Sequence, residues 1–207
     1  FRGLHDSIVN YGGNEKPEVI FCCHEEISVA LAHGYAKAKG KPMAAIVHNI
    51  VGLQHASMAI YNAWCDRVPI MVLGGTGPMD TSRRRPNIDW IHTALVQGNQ
   101  VRDYVKWDDQ PHSIKSVPMS FIRAHRIATA EPKAPVYICY DADLQEELLK
   151  ETIEIPDLSL YAPSAPVQAN PEALCKAAQL LVGAKAPVII VETLGRNYGT
   201  VTSLIEL

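Results

Sequence analysis

No apolar run in the sequence reaches the roughly 18 residues that a membrane-spanning helix needs, so none of its 207 residues is expected in a membrane. No excess of either charge is present: 19 Lys and Arg face 22 Asp and Glu, a formal net charge of −3. That excludes the broad positive field on which nucleic-acid binding rests. Arg83-Arg84-Arg85 is the only basic cluster, and it reads as a solvated loop rather than a binding patch. No Cys-x-x-Cys pair occurs. The five cysteines (Cys22, Cys23, Cys65, Cys139 and Cys175) are odd in number and irregular in spacing. A secreted disulfide scaffold is therefore not expected, and a reducing compartment, the cytoplasm, is. No signal peptide opens the sequence. With 47% hydrophobic and 20% charged residues, the composition is that of an ordinary globular protein.

Several chemistries fall on what their motifs lack. A phosphate loop needs four residues between its glycines and Ser or Thr after its lysine. Five residues separate Gly34 from Gly40, and Pro42 follows Lys41. The segment also closes a helix, the wrong dipole end for phosphate. Gly75-Thr76-Gly77 lacks the third glycine of a dinucleotide fingerprint, Asp80 standing in its place. His24-Glu25-Glu26-Ile27-Ser28 starts like the zinc-protease pattern and ends in Ser where His is required. No Gly-x-Ser-x-Gly elbow is found. Cys65, at the end of an apolar helix, reads as a buried inert thiol.

What is there alternates between buried strands and helices. Glu18 to Cys22, Met43 to Val47, Pro69 to Leu73 and Pro135 to Cys139 are predicted strands, with a shorter one over Val101 to Trp107. His24 to Lys39, Gly52 to Trp64 and Ser113 to Thr129 are predicted helices. The first places Ile27, Leu31, Ala32 and Tyr35 on one side. It carries acids in its first turn and lysines in its last, and Gly40 is its stop. This order predicts an α/β fold, a parallel sheet flanked by helices, over residues 1–145. Residues 146–169 lose periodicity and gather prolines, which reads as a linker. Residues 170–207 read as the start of a second, incomplete α/β domain: a helix from Pro171 to Val182, a strand over Val188 to Val191, and a helix from Tyr198. The sequence opens on Phe1 and stops inside an apolar pattern, so a piece of a longer polypeptide is expected.

Glu25 stands where a predicted strand passes into a helix. Carboxyl ends of strands in open α/β sheets are where ligands bind. Phe21 and Cys22 lead into it, an apolar flank of the kind in which a carboxyl shares its proton. A plain helix-start acid is the competing explanation. The stretch His24-Glu25-Glu26-Ile27-Ser28-Val29-Ala30-Leu31-Ala32-His33-Gly34-Tyr35-Ala36-Lys37-Ala38-Lys39-Gly40, followed by Asn62-Ala63-Trp64, Asp66 and Val68-Pro69, resembles the N-terminal pyrimidine-binding domain of thiamine-diphosphate-dependent enzymes, in the acetolactate synthase and benzoylformate decarboxylase branch. The resemblance covers roughly residues 1–140, and residues from about 170 resemble the start of that family's middle domain.

The resemblance implies a thiamine diphosphate site in which Glu25 hydrogen-bonds the pyrimidine ring and so promotes loss of the thiazolium C2 proton. It implies making or breaking a C–C bond next to a carbonyl, with a 2-keto acid or aldehyde as substrate. Val51, Gly52 and His55 occupy positions that line the pyrimidine pocket, although only Gly52 is kept from the usual Gly-Pro-Gly segment, and Thr76 stands where many members carry Gln. His48 matches a proton-transfer histidine of benzoylformate decarboxylase, and equally reads as a strand-end histidine bonded to backbone. Acetolactate synthase-like activity leads, with a decarboxylase or aldehyde lyase, or a non-catalytic subunit, as alternatives. The resemblance also implies Mg²⁺ with ligands outside this chain, admits FAD, and implies a homodimer or homotetramer. The small residues Ala56, Ala59 and Ala63 are expected at the subunit contact. The Gly-Asp-Gly motif that binds metal and diphosphate in the family is absent.

Overall fold

In the computed structural model, which describes residues 1–207, the predicted strands become a four-stranded sheet of β1 (Met43–Ile46), β2 (Ile70–Thr76), β3 (Trp107–Asp109) and β4 (Val136–Asp141). The order is β1-β2-β4-β3 and every pair is parallel. Val136 pairs with Met71 on one side and Trp107 on the other. β2 is buried along its whole length, and its unbroken apolar run Ile70-Met71-Val72-Leu73 is what a central strand covered on both faces requires.

The two-residue period of the strands sorts the core into two layers. Ile70, Val72, Tyr137 and Cys139 face a cluster built with α2 (Glu25–Lys39) and α3 (Val51–Cys65). Met71, Leu73, Val136, Ile138 and Tyr140 face the other way, onto Ala124 and Ala128 of α5 (Val117–Thr129) and the partly buried Leu4. Leu4 lies on α1 (Arg2–Asp6). Two single-turn helices complete this part, α4 (Ile88–His92) and α6 (Ala142–Glu146). The α/β class and the parallel sheet are as the sequence predicts.

α2 begins and ends where its residues dictate. His24 caps it by accepting the Glu26 N–H at 3.2 Å on Nδ1. Gly40 takes the left-handed conformation, φ 67°, and returns its N–H to the Ala36 carbonyl, a conformation that costs glycine little. The buried face, however, is Val29, Ala32 and Ala36, whereas Ile27, Leu31 and Tyr35 are exposed. The 3.6-residue period gives α2 two apolar stripes. The one with small side chains lets α2 and α3 approach closely, and it meets Ala56, Ala59 and Ala63 of α3, all buried. Those alanines therefore serve packing inside the chain, which corrects their expected place at a subunit contact.

Three further expectations change. Residues 18–22 form no strand, and Ile20 and Phe21 are exposed, Phe21 at 79%. A strand needs a ladder partner, and here the Val19 N–H is taken by the Asn14 side chain at 2.6 Å instead. Val101 to Trp107 is not a strand: it holds a single helical turn, Arg102–Tyr104, and β3 starts only at Trp107. Cys65 is exposed, not buried.

At the far end of the α2–α3 pair, Asp66 accepts from Lys37 Nζ at 2.8 Å and lies 2.9 Å from His33 Nε2. The bond from Lys37 holds the Asp66 carboxyl below its usual value of 3.8, His33 adding to the effect. A depressed carboxyl contributes stability above its unfolded pKa and loses it as pH falls through the folded value. Asp66→Asn should therefore cost at most about 1 kcal/mol at neutral pH, because the pair is half exposed and solvent-screened. The two proteins should converge in stability well below pH 3.8. Thermal unfolding of both at the two pH values checks this.

The chain divides into two compact units, Phe1–Ser164 and Ala165–Leu207. The second holds α7 (Pro171–Gly183) and α8 (Tyr198–Glu206). Asn170 caps α7 by accepting the Glu172 and Ala173 N–H groups, with Pro171 in the first turn, where its missing N–H costs nothing. The strand predicted over Val188 to Val191 does not form, for it too has no strand to pair with. No helix of the chain is long and apolar enough to cross a membrane.

Candidate functional site

The chain turns sharply between β1 and α3, and this turn meets the start of α2. Glu25 is the first residue of α2, His48 lies two residues past β1, and Gly52 is the second residue of α3. The three converge. A β-carbon added at Gly52 would stand 2.8 Å from Glu25 Oε1 and 2.8 Å from His48 Cβ. Glycine is needed here by space, not by dihedral freedom. The three positions expected from sequence at the heart of the site are thus side by side. Val51 opens α3 and is 43% exposed. His55, one turn on, does not face Glu25 alone but stacks on His24, ring centroids 4.7 Å apart.

Glu25, His24, Ser28 and His48 border a cavity of about 510 Å³ whose other walls are largely apolar, among them Phe21, Leu73 and Phe121. A concave, mostly apolar space with a few convergent polar groups is what a cofactor ring requires. Gly52 leaves the Glu25 carboxylate free of a side-chain wall on the α3 side. α3 has no side-chain cap, and its first N–H, that of Val51, is taken by the Asn49 carbonyl. These residues fit the pyrimidine half of thiamine diphosphate.

Ile50 joins β1 to α3 with φ 27°, a strained value for a β-branched residue. Its N–H donates to Gln97 Oε1 at 3.1 Å. Gln97 is fully buried; its Nε2 donates to the Gly75 carbonyl at 2.8 Å, and its Oε1 also accepts the Tyr137 hydroxyl at 3.2 Å. One amide thus holds the turn, β2 and β4 together. Burial pushes the Tyr137 hydroxyl well above its ordinary range and Cys139 up to about 12, so both stay protonated at neutral pH. Tyr137 reaches Gln97 only because position 74 is glycine: a β-carbon there would overlap the phenol oxygen at 2.0 Å. Sequence reasoning missed Gln97 and Tyr137. The available signal was Gly74-Gly75 inside a buried strand, which marks a close approach.

His24, Glu25 and His55 also form a group whose ligand atoms lie within 4.8 Å of one another, although no metal spacing is visible in the sequence. The hydrogen bonds account for it without an ion. His24 Nδ1 accepts the Glu26 N–H, so Nε2 carries the proton and donates to His55 Nδ1 at 2.7 Å. A metal on His24 Nε2 would require the opposite tautomer and the loss of the helix cap.

Residues 4–100 match the family model "Thiamine pyrophosphate enzyme, N-terminal TPP binding domain". The chain is 27% identical over 151 residues to benzoylformate decarboxylase of Pseudomonas aeruginosa, covering 69% of this chain and 28% of that protein. It is 28% identical over 194 residues to the mitochondrial acetolactate synthase catalytic subunit of Saccharomyces cerevisiae, covering 91% of this chain and 27% of that protein. It spans, then, a little over a quarter of the length of these relatives. Among solved structures, benzoylformate decarboxylase from Polynucleobacter necessarius superimposes with a TM-score of 0.71 at 22% identity, over 88% of this chain and 33% of that one, a likeness of fold. Glu25, His48 and Gly52 all lie inside the matched stretch, so the part of the chain that holds them is similar to the N-terminal TPP-binding domain of thiamine pyrophosphate enzymes.

Proposed function

We propose that this chain supplies the pyrimidine side of the cofactor site in an enzyme that makes or breaks a C–C bond next to a carbonyl, acting on a 2-keto acid as the acetolactate synthases do. The observation that carries the reading is the meeting of Glu25, Gly52 and His48 beside a cavity of ring size. When bound, thiamine diphosphate supplies an electron sink at the carbonyl carbon. Glu25 stands at the edge of that cavity, where its carboxyl would meet the pyrimidine ring nitrogen and exchange a proton with it. Gly52 keeps the approach open, and Gln97 fixes the turn that presents His48. Mg²⁺ and the diphosphate fall to residues outside this chain, and a homodimer or homotetramer would bring them to Glu25. FAD stays in the proposal only as the acetolactate synthase likeness admits it. The five free cysteines suit the reducing cytoplasm.

A decarboxylase or aldehyde lyase is the second reading, and one observation favours it. His48 Nδ1–H donates to the Asn49 carbonyl at 3.0 Å. A carbonyl only accepts, so the neutral ring keeps its lone pair on Nε2, ready to take a proton. Product analysis separates the readings. The full-length protein, loaded with thiamine diphosphate and Mg²⁺, is given pyruvate. Ligation yields a hydroxy-keto acid with carbon dioxide, and simple decarboxylation yields the aldehyde. His48→Ala should lower the decarboxylation rate by about 10²-fold or more if His48 moves a proton. Absence of any cofactor-dependent conversion of keto acid or aldehyde would leave the non-catalytic subunit.

A further inference from the structure

One peptide plane lies between Gln97 and His48. The Ile50 N–H donates to Gln97 Oε1 at 3.1 Å. The Asn49 carbonyl belongs to the same peptide, and in a planar trans peptide it points the opposite way. There it accepts His48 Nδ1–H at 3.0 Å, and the Val51 N–H as well. A carbonyl oxygen has two lone pairs, so both bonds are made at once. Whatever holds the Ile50 N–H therefore also sets where the Asn49 carbonyl stands.

Burial does not fix the tautomer of His48, because the side chain is exposed. The bond to Asn49 is the one hydrogen bond of its ring. An imidazole left to water favours its proton on Nε2. The Asn49 carbonyl draws the proton to Nδ1 and leaves Nε2 as the basic nitrogen. The turn that carries this carbonyl is not at rest by itself. Ile50 stands at φ 27°, and such a conformation of a β-branched residue persists only where its surroundings enforce it. The Val51 bond is local and would move with the turn. Gln97 is the contact from outside, and it is rigid. It is 1% exposed, with Nε2 on the Gly75 carbonyl at 2.8 Å and Oε1 shared with the Tyr137 hydroxyl. β2 and β4 anchor the amide, and the amide anchors the peptide.

We propose that Gln97 is a positioning residue for His48: by holding the Asn49–Ile50 peptide it keeps the Asn49 carbonyl on the Nδ1 side of the ring, and so decides which ring nitrogen is the base. Without Gln97 the peptide is free to turn, Ile50 relaxes, and the ring reverts to the tautomer that water favours. The consequence for turnover rests on the reading of His48 as a proton-transfer residue, whereas the tautomer does not, and the test separates the two.

Histidine side-chain ¹⁵N spectra of the full-length protein without cofactor, at a pH where its histidines are neutral, should show His48 protonated on Nδ1. In Gln97→Leu the signal should move to the Nε2-protonated form. Gln97→Asn keeps the amide but is one methylene too short to reach Ile50; it should show the same change, and it decides the matter if Gln97→Leu does not fold. Gln97→Glu has the shape of the native side chain and is kept protonated by burial, so it should restore the Nδ1 form. Tyr137→Phe removes the other bond to Gln97 Oε1 but not the one from Ile50, and should leave the tautomer as it is; a merely structural role would make it behave like Gln97→Asn. With thiamine diphosphate, Mg²⁺ and pyruvate, Gln97→Asn should lower kcat by ~10²-fold, with KM changed only a few-fold, and Gln97→Glu should recover most of the loss. A changed tautomer with unchanged kcat would sink the proton-transfer reading of His48 and sustain the hold of Gln97 on its ring. Nε2-protonated His48 in the wild type, Nδ1-protonated His48 in folded Gln97→Asn, or the same change in Tyr137→Phe would overturn the proposal.

Discussion

Gly52→Ala should leave the protein folded and reduce its turnover by roughly 10²-fold. The two effects come from different terms. Gly52 lies in the first turn of α3, and exchanging a helical glycine for alanine gains up to about 1 kcal/mol in helix propensity. Against this, the new methyl would stand 2.8 Å from His48 Cβ, 2.9 Å from Glu25 Cγ and 2.8 Å from Glu25 Oε1. His48 Cβ is fixed by the backbone, so Glu25 is the group that swings away. Overpacking costs typically 1–3 kcal/mol; turning Glu25 aside relieves its contacts but not the one with His48 Cβ, so after the propensity gain a net loss of about 1–2 kcal/mol is expected. That is too little to unfold a typical domain. Chemistry does not escape so easily, since misplacing a reacting group by about 1 Å is worth ~10² in rate. Thermal unfolding and kcat on the full-length protein read the two terms separately. A large loss of stability, or unchanged turnover, would mean that the three residues do not act as a unit.

Glu25→Gln is the second large effect. The amide has the shape of the acid and can still meet a ring nitrogen, so folding and most cofactor binding should survive. It cannot take up and give back a proton as a carboxyl does. Turnover should fall by ~10²–10⁴, the scale of a positioned acid–base group. Glu26, next along α2 and exposed, supplies the control. Its main role here is its backbone N–H, which His24 accepts, and Gln keeps that N–H. Glu26→Gln should change turnover by no more than a few-fold, measured in parallel with Glu25→Gln under saturating cofactor.

The parts of this architecture that were legible in the sequence are those fixed by neighbours along the chain. The limits of α2 follow from His24, its first-turn acids and Gly40, and the central strand follows from an apolar run bounded by turn residues. Glu25, His48 and Gly52 could be singled out because each sits at an element boundary in a recognisable pattern. What failed depended on partners far away. Residues 18–22 have strand composition but no ladder to join, and Asn14 takes the Val19 N–H instead. On α2, two apolar stripes compete, and only the presence of α3 selects the one with alanines. Gln97 contacts Ile50 across 47 residues and Tyr137 across 40, and His55 contacts His24 across 31. Pairings of that kind leave no periodic trace, apart from the glycine at 74 that one of them requires.

The central claim is that Glu25 governs the proton at the pyrimidine ring, and the most direct measurement is exchange of the cofactor C2 proton in deuterated solvent. Wild type, Glu25→Gln and Glu26→Gln of the full-length protein are each loaded with thiamine diphosphate and Mg²⁺, quenched at intervals and read by NMR. Exchange should be fast in wild type and Glu26→Gln, and slower by ~10²–10⁴ in Glu25→Gln. Equal rates in all three proteins would contradict the claim and return Glu25 to the part of a helix-start acid.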